Sequence, residues 1–197
     1  MASQKLSSLI EVITAENVNS DIVREVLEIQ KSCVLETSKP ASSGFLITIW
    51  TAKELNELLN QSSTLTLCRI QKTKKIVAYL LTSPLPLLEE SYVRVSGATS
   101  DLRTEDLSDS KSVYVYQIAV RSEFRRAHFG HSLVENLIAN SAGSKIFTDL
   151  MEKPFFNTAS HAFFSSFGFR DCGFIEHSDY RGFGSCRWLV LNLKVQE

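Results

Sequence analysis

Residues 113–140 read VYVYQIAVRSEFRRAHFGHSLVENLIAN: a β-rich run, a basic turn and an amphipathic helix in direct succession. Alternation places Tyr114, Tyr116, Ile118 and Val120 on one side of the run and Val115, Gln117 and Ala119 on the other. Both sides are largely apolar, so Val113–Val120 is predicted to be a central strand. Gly130–Ala142 is predicted to be a helix, with Leu133, Val134, Leu137 and Ile138 as its buried stripe and Gly143 as its stop. Between them, the turn Arg121–His128 brings unpaired N–H groups, the positive end of a helix and the charges of Arg125 and Arg126 to one spot. Gly130 has no Cβ, so a ligand could approach the N–H groups of Phe129, Gly130, His131 and Ser132. The turn reads either as a phosphate cradle or as a surface turn with two solvated arginines.

A second stretch, Asn157 to Phe169, reads NTASHAFFSSFGF. Asn157 is suited to cap a helix Thr158–Phe167 and Gly168 to end it. Phe163 and Phe167 then fall on the core side, with Asn157, Ser160 and Phe164 on another face. Around these two stretches, Leu9–Ile13 is a candidate first strand and Val18–Gln30 an amphipathic helix, followed by a loop over Lys31–Ser43. Thr51 with Glu54 is a capping-box signature that opens a helix carrying Leu55, Leu58 and Leu59. Thr64–Ile70 and Ile76–Thr82 make a hairpin tipped by Lys72, Thr73 and Lys74. Ser83–Ser112 reads as a long loop with a weak β signal at Tyr92–Val95, either a binding loop or a plain irregular connection. Strands at Lys145–Leu150, Phe169–His177 and Ser185–Lys194 complete an α/β (α+β) pattern with a strand–helix–strand crossover.

Composition narrows the function classes. The 197 residues, 44% hydrophobic, suffice for a single domain. With 21 basic against 22 acidic residues there is no basic excess to suggest nucleic acid. Apolar stretches such as Gly44–Trp50 are far too short to cross a bilayer, which favours a soluble protein with no membrane partner. Cys33, Cys68, Cys172 and Cys186 are widely spaced, so neither a zinc site nor a disulfide framework is expected, and a reducing cytoplasm fits.

The turn from Arg125 to Gly130 resembles the acetyl-CoA-binding motif Q/R-x-x-G-x-G/A of the GCN5-related N-acetyltransferase (GNAT) superfamily, with His128 in place of the middle glycine. Histidine tolerates left-handed backbone better than most residues. The second stretch resembles that superfamily's late motif N-x-x-A/S-x-x-F-Y-x-x-x-G-F, matching at Asn157, Ser160, Phe163, Gly168 and Phe169. A weaker likeness is to a bacterial branch, mostly of unassigned substrate, whose late motif reads N-P-x-S-x-x-F-H before G-F. The resemblance implies the GNAT acyltransferase fold over residues 1–197. Its mixed sheet would have six to seven strands and about four helices, with a CoA-binding core at about 64–194.

It also implies acetyl-CoA as co-substrate, lying in a cleft between the strand ending at Val120 and the strand Lys145–Leu150. The binding residues would be Ile118, Ala119, Val120, Arg125, Arg126, His128, Phe129, Gly130, His131, Ser132, Asn157, Ser160 and Phe164. In related enzymes a tyrosine at the position of Phe164 can protonate the departing thiolate, which phenylalanine cannot do. The expected activity is transfer of acetyl to a primary amine of a small molecule or peptide, by direct attack in a ternary complex. The alternative is a catalytically silent acyl-CoA-binding or interaction protein on the same fold.

Because an ammonium is not a nucleophile, a base is needed. Asp149 at a strand end and Glu152 in the following loop are the candidates, though either could be an ordinary surface or capping carboxylate. His128 and His131 could bind a metal but lack a third ligand nearby, so no metal is expected. His161 is either a base or a turn residue, and Tyr92, Tyr114 and Tyr116 either line an acceptor pocket or pack. Phe155 and Phe156 read as core or cleft wall, and Asp179–Gly184 as a rim or a hairpin turn. A monomer and a homodimer paired through C-terminal edge strands both remain open.

Overall fold

The computed structural model describes residues 8–34, 44–85, 95–99, 102, 106, 109–178, 180 and 184–196. Tyr92 and most of 86–108, together with 35–43, 179 and 181–183, lie outside the described residues. The strands are β1 (Ser8–Ile13), β2 (Thr64–Ile70), β3 (Ile76–Pro84), β4 (Val113–Val120), β5 (Lys145–Lys153), β6 (Arg170–His177) and β7 (Cys186–Lys194). The helices are α1 (Ser20–Ser32), α2 (Ala52–Asn60), α3 (Phe129–Ala139) and α4 (Thr158–Ser165), and a 3₁₀ turn spans Ser122–Phe124. The strands form a mixed sheet in the order β1-β2-β3-β4-β5-β7-β6.

The chain divides into two compact units. The first comprises Met1–Val34, Leu46–Thr82 and Gln117–Asn140. In it β1, β2 and β3 are antiparallel neighbours, and α3 packs on β1 and β2. Local sequence sets both early helices. The Asn19 side chain accepts from the Ile22 N–H at 2.9 Å to cap α1. At α2, Thr51 Oγ1 accepts from the Glu54 N–H at 3.2 Å, and Glu54 Oε2 accepts from the Thr51 N–H at 2.7 Å. Helix α3 ends earlier than predicted, at Ala139. Asn140 caps it and also donates Nδ2 to the Asn136 carbonyl, which leaves Gly143 (φ 71°) to the turn before β5. Leu133 and Val134 are buried, whereas Leu137 and Ile138 are half-buried.

The second unit comprises Leu35–Phe45, Ser83–Tyr116 and Ser141–Glu197. Here β4 pairs in parallel with β5 over Val113↔Ile146, Tyr114↔Phe147 and Val115↔Thr148. Strand β7 lies antiparallel between β5 and β6. Leu85, Tyr114, Phe147, Cys172, Ile175 and Val190 form the core cluster, with Val95 and Leu102 packed on it. Part of the long connection is therefore a strap on β6. Ser96 N–H donates to the Phe174 carbonyl at 2.8 Å, Phe174 N–H returns a bond at 3.0 Å, and Thr99 N–H reaches the Cys172 carbonyl at 3.1 Å. These bonds occupy part of a C-terminal edge that could pair subunits. The approach requires Gly173, because a Cβ there would lie 2.5 Å from Val95 Cγ1 and 3.1 Å from the Ser96 carbonyl oxygen. Gly173→Ala is expected to destabilise the chain by about 1–3 kcal/mol, read from the midpoint of urea unfolding.

Three further expectations are corrected. Strand β5 runs on through Glu152 to Lys153 because Met151 and Lys153 still pair with β7, so Glu152 is in a strand and not in a loop. On α4 the core residue is Phe164, at 2% exposure, while Phe163 and Phe167 are half-buried. Phe155 and Phe156, expected in the core or a cleft wall, are 42% and 38% exposed, which excludes the core and not the wall.

Candidate active site

Arg121, the first residue of the basic turn, is a structural anchor. Its N–H donates to the Val77 carbonyl at 2.8 Å and its Nε to the Ile76 carbonyl at 2.9 Å. Its Nη2 pairs with Glu28 at 3.2 Å. The turn is thus pinned to β3 and α1 where it leaves β4. Farther on, Arg125 and Arg126 are exposed, and neither pairs with a carboxylate among the described residues. Arg125 Nη2 lies 3.7 Å from Cys33 Sγ, and that thiol is 3.4 Å from the Val120 carbonyl.

Arg126 (φ 64°) and His128 (φ 62°) both take left-handed backbone, so His128 keeps the geometry that a glycine would supply. Helix α3 then starts with no side-chain cap, in contrast to α1, α2 and α4. Its leading N–H groups are donors without intrahelical partners, at the positive end of the helix. Phe129 and Gly130 are buried, and His131 and Ser132 are half-buried. The rings of His128 and His131 stand 5.2 Å apart, and no metal-binding group of three ligands occurs among the described residues. On β4, Ala119 is buried, with Ile118 and Val120 half-buried. Gln117 is committed to structure: Tyr79 Oη donates to its Oε1 at 2.9 Å, and its Nε2 donates to the Thr48 carbonyl at 2.7 Å.

In the second unit the two candidate bases differ. Glu152 is tied to Arg187 at 3.6 Å. Asp149 is half-buried and accepts from Tyr114 Oη at 2.6 Å through Oδ1. Burial pushes the Asp149 carboxyl above the usual carboxylate range, opposed by the Tyr114 hydroxyl, its own backbone N–H and the nearby His177. Tyr116 is raised as well, by burial first, with a hydrogen bond from Ser83 opposing and the Asp149 charge adding to it.

A raised folded pKa means that the folded chain holds this proton more tightly than the unfolded chain. Stability therefore falls as pH rises through the window between the ordinary carboxylate value and the raised one. Asp149→Asn keeps an acceptor for Tyr114 and removes the charge. We expect it to raise Tm at pH 7, with the gain vanishing below about pH 4, in thermal melts of both proteins.

Asn157 is 5% exposed, and its side chain is used twice. Oδ1 accepts from the Ser160 N–H at 3.3 Å to cap α4, and Nδ2 donates to the Phe45 carbonyl at 3.0 Å. Phe164 packs against Phe163 and Phe169 with ring centroids 5.3 and 5.1 Å apart. His161 Nε2 contacts Asp171 at 3.0 Å on the surface. Sequence reasoning did not find the Tyr114–Asp149 pair or the place of Cys33 beside Arg125. The strand phase of Tyr114 was a usable signal for the first, and the second had none.

The model of the acetyltransferase (GNAT) family matches residues 26–169. The chain belongs to that family. The match begins inside α1, earlier than the core expected at about 64, and ends at Phe169. Similar solved structures include the ribosomal-protein-S18-alanine N-acetyltransferase from Escherichia coli, at 12% identity and TM-score 0.62 over 96% of each chain. An N-acetyltransferase from Staphylococcus aureus Mu50 is 11% identical, with TM-score 0.61 over 96% of this chain and 99% of that one. Arabidopsis thaliana NAA60 in complex with a bisubstrate analogue is 9% identical, with TM-score 0.61 over 94% of this chain and 98% of that one. At these identities the likeness shows the GNAT fold alone. No curated protein sequence matches. No helix among the described residues is long and apolar enough to cross a membrane.

Proposed function

We propose that the chain is an acetyl-CoA-dependent N-acetyltransferase acting on a primary amine of a small molecule or peptide, by direct attack in a ternary complex. The observation that carries this reading is the uncapped start of α3 beside two arginines with no carboxylate partner among the described residues. Unsatisfied N–H groups, a helix dipole and guanidinium groups without a carboxylate partner among the described residues suit the phosphates of CoA. In this reading Arg125, Arg126 and the N–H groups of Phe129, Gly130, His131 and Ser132 hold the phosphates. His128 contributes its left-handed backbone, and the backbone of Ile118, Ala119 and Val120 aligns the pantetheine arm. Asn157 and Ser160 act by fixing the start of α4, and Phe164 by packing it.

Acetyl-CoA, when bound, supplies a thioester whose thiolate is a weak base and a good leaving group. Asp149 takes a proton from the acceptor ammonium and frees its lone pair for transfer. Its raised carboxyl makes it a stronger base than an ordinary aspartate. Glu152 is the weaker candidate because Arg187 already neutralises it. Phe164 offers no proton, so the thiolate departs without help from that position. The four cysteines are free thiols, which favours a reducing cytoplasm. Calorimetric titration with acetyl-CoA and with free CoA tests the cradle. Saturable binding of both is expected, and no binding of either would remove the reading. The silent-module alternative, favoured by the burial of Phe164, shares that binding and differs only in showing no turnover on any amine.

A further inference from the structure

One sheet face of the second unit sets a carboxylate among aromatic rings. Tyr114 and Tyr116 come from β4, Asp149 from β5, His177 from β6 and Trp188 from β7. Pairing of Tyr114 with Phe147, Asp149 with Val190 and Ile175 with Trp188 puts these side chains on the same face. Tyr116 stands edge-on to Tyr114 with centroids 4.9 Å apart. The Tyr180 ring lies 5.4 Å from His177 and 5.1 Å from Trp188. Tyr116, Asp149 and Trp188 are all half-buried, which leaves part of each accessible.

The carboxylate is the unusual member. Several other acids of the fold that are partly withdrawn from water carry a cation: Asp106 has Lys145, Glu25 has Arg121 and Glu152 has Arg187. Asp149 pairs with no lysine or arginine among the described residues, and Tyr114 is its only side-chain donor there. His177 is near enough to act on it electrostatically but forms no ion pair with it. A half-buried charge without a counter-ion is unfavourable in a purely structural role, which asparagine would fill better. Ring faces of tyrosine and tryptophan attract cations, and their flat apolar bodies take carbon chains.

We propose that this face binds the acceptor as an organic monocation, a primary ammonium on an apolar carbon chain. The ammonium sits against Asp149 and the chain against Tyr116 and Trp188. One carboxylate matches one positive charge and repels an anion. The inference rests on the acetyl-transfer reading only in taking this cation to be the acceptor, since its binding can be measured without any transfer.

The test is calorimetric titration of the full chain with n-butylammonium and with its anionic counterpart butyrate, with and without saturating CoA. Butylammonium is expected to bind saturably and butyrate not at all. Asp149→Asn should weaken butylammonium about tenfold or more, and Trp188→Leu about fivefold, with Trp188→Phe retaining most of the affinity. Thermal melts establish that each variant is folded. Equal binding of butyrate, or butylammonium affinity unchanged in Asp149→Asn, would overturn the proposal. If CoA binds and butylammonium does not, the proposal falls and the cradle stands. If butylammonium binds through Asp149 and CoA does not bind, the cation site stands and the transfer reading falls.

Discussion

Asp149→Asn is expected to lower kcat about 10²- to 10⁴-fold while leaving the CoA dissociation constant unchanged. The amide keeps the shape of the side chain and its bond from Tyr114, so the loss reports the missing base. The sign of the pH dependence follows from the protonation state required. A base must be ionised to accept a proton, and burial has raised the pH at which Asp149 ionises. The parent's kcat should therefore rise with pH through a window above the ordinary carboxylate range and then level off. The variant should be flat across that window. An identical profile in both proteins would exclude Asp149 as the base. Together with the Tm gain expected of the same substitution, this describes a residue kept for chemistry at the expense of stability.

The second large effect is expected at the turn. Replacing Arg125 and Arg126 together by Glu should weaken CoA binding about a hundredfold or more at low salt, because two attractive charges become repulsive at the proposed phosphate site. Added salt should shrink the difference, as screening predicts. Both side chains are exposed and have no carboxylate partner among the described residues, so the fold should survive the change. Arg121 makes the contrast. It is held by carbonyls of β3 and carboxylates of α1, and its loss should appear in the unfolding midpoint before it appears in CoA affinity.

How much was legible in the chain depended on the range of the interaction. The Thr51–Glu54 capping box, the hairpin at Lys72–Lys74 and the strand of Val113–Val120 are written in neighbouring residues, and each stands as read. The end of β5 was not, because Glu152 and Lys153 are polar and stay in the strand only through pairing with β7, far along the sequence. The face of α4 was misjudged for a related reason. Its eight residues hold phenylalanines at adjacent positions, so periodicity alone could not choose between Phe163 and Phe164. The seating of Val95–Thr99 on β6 depends on Gly173, whose need for space is invisible until its neighbour is known.

At the candidate site, the two motifs located the turn and α4, but could not divide the work within them. Three arginines look alike in sequence. The structure separates Arg121, which anchors, from Arg125 and Arg126, which pair with no carboxylate among the described residues. Asp149 and Glu152 were both candidate bases, and the structure gives them different partners, a tyrosine hydroxyl for Asp149 and Arg187 for Glu152.

The proposed reaction moves an acetyl group from CoA to an amine. Its most direct test is a stoichiometric one: incubate the chain with acetyl-CoA and a panel of primary amines, then quantify free CoA thiol and acetylated amine in the same samples. Amine-dependent thiol release is expected, matched one-for-one by acetylated amine and strongly reduced in Asp149→Asn. Saturable CoA binding without thiol release on any amine would contradict it.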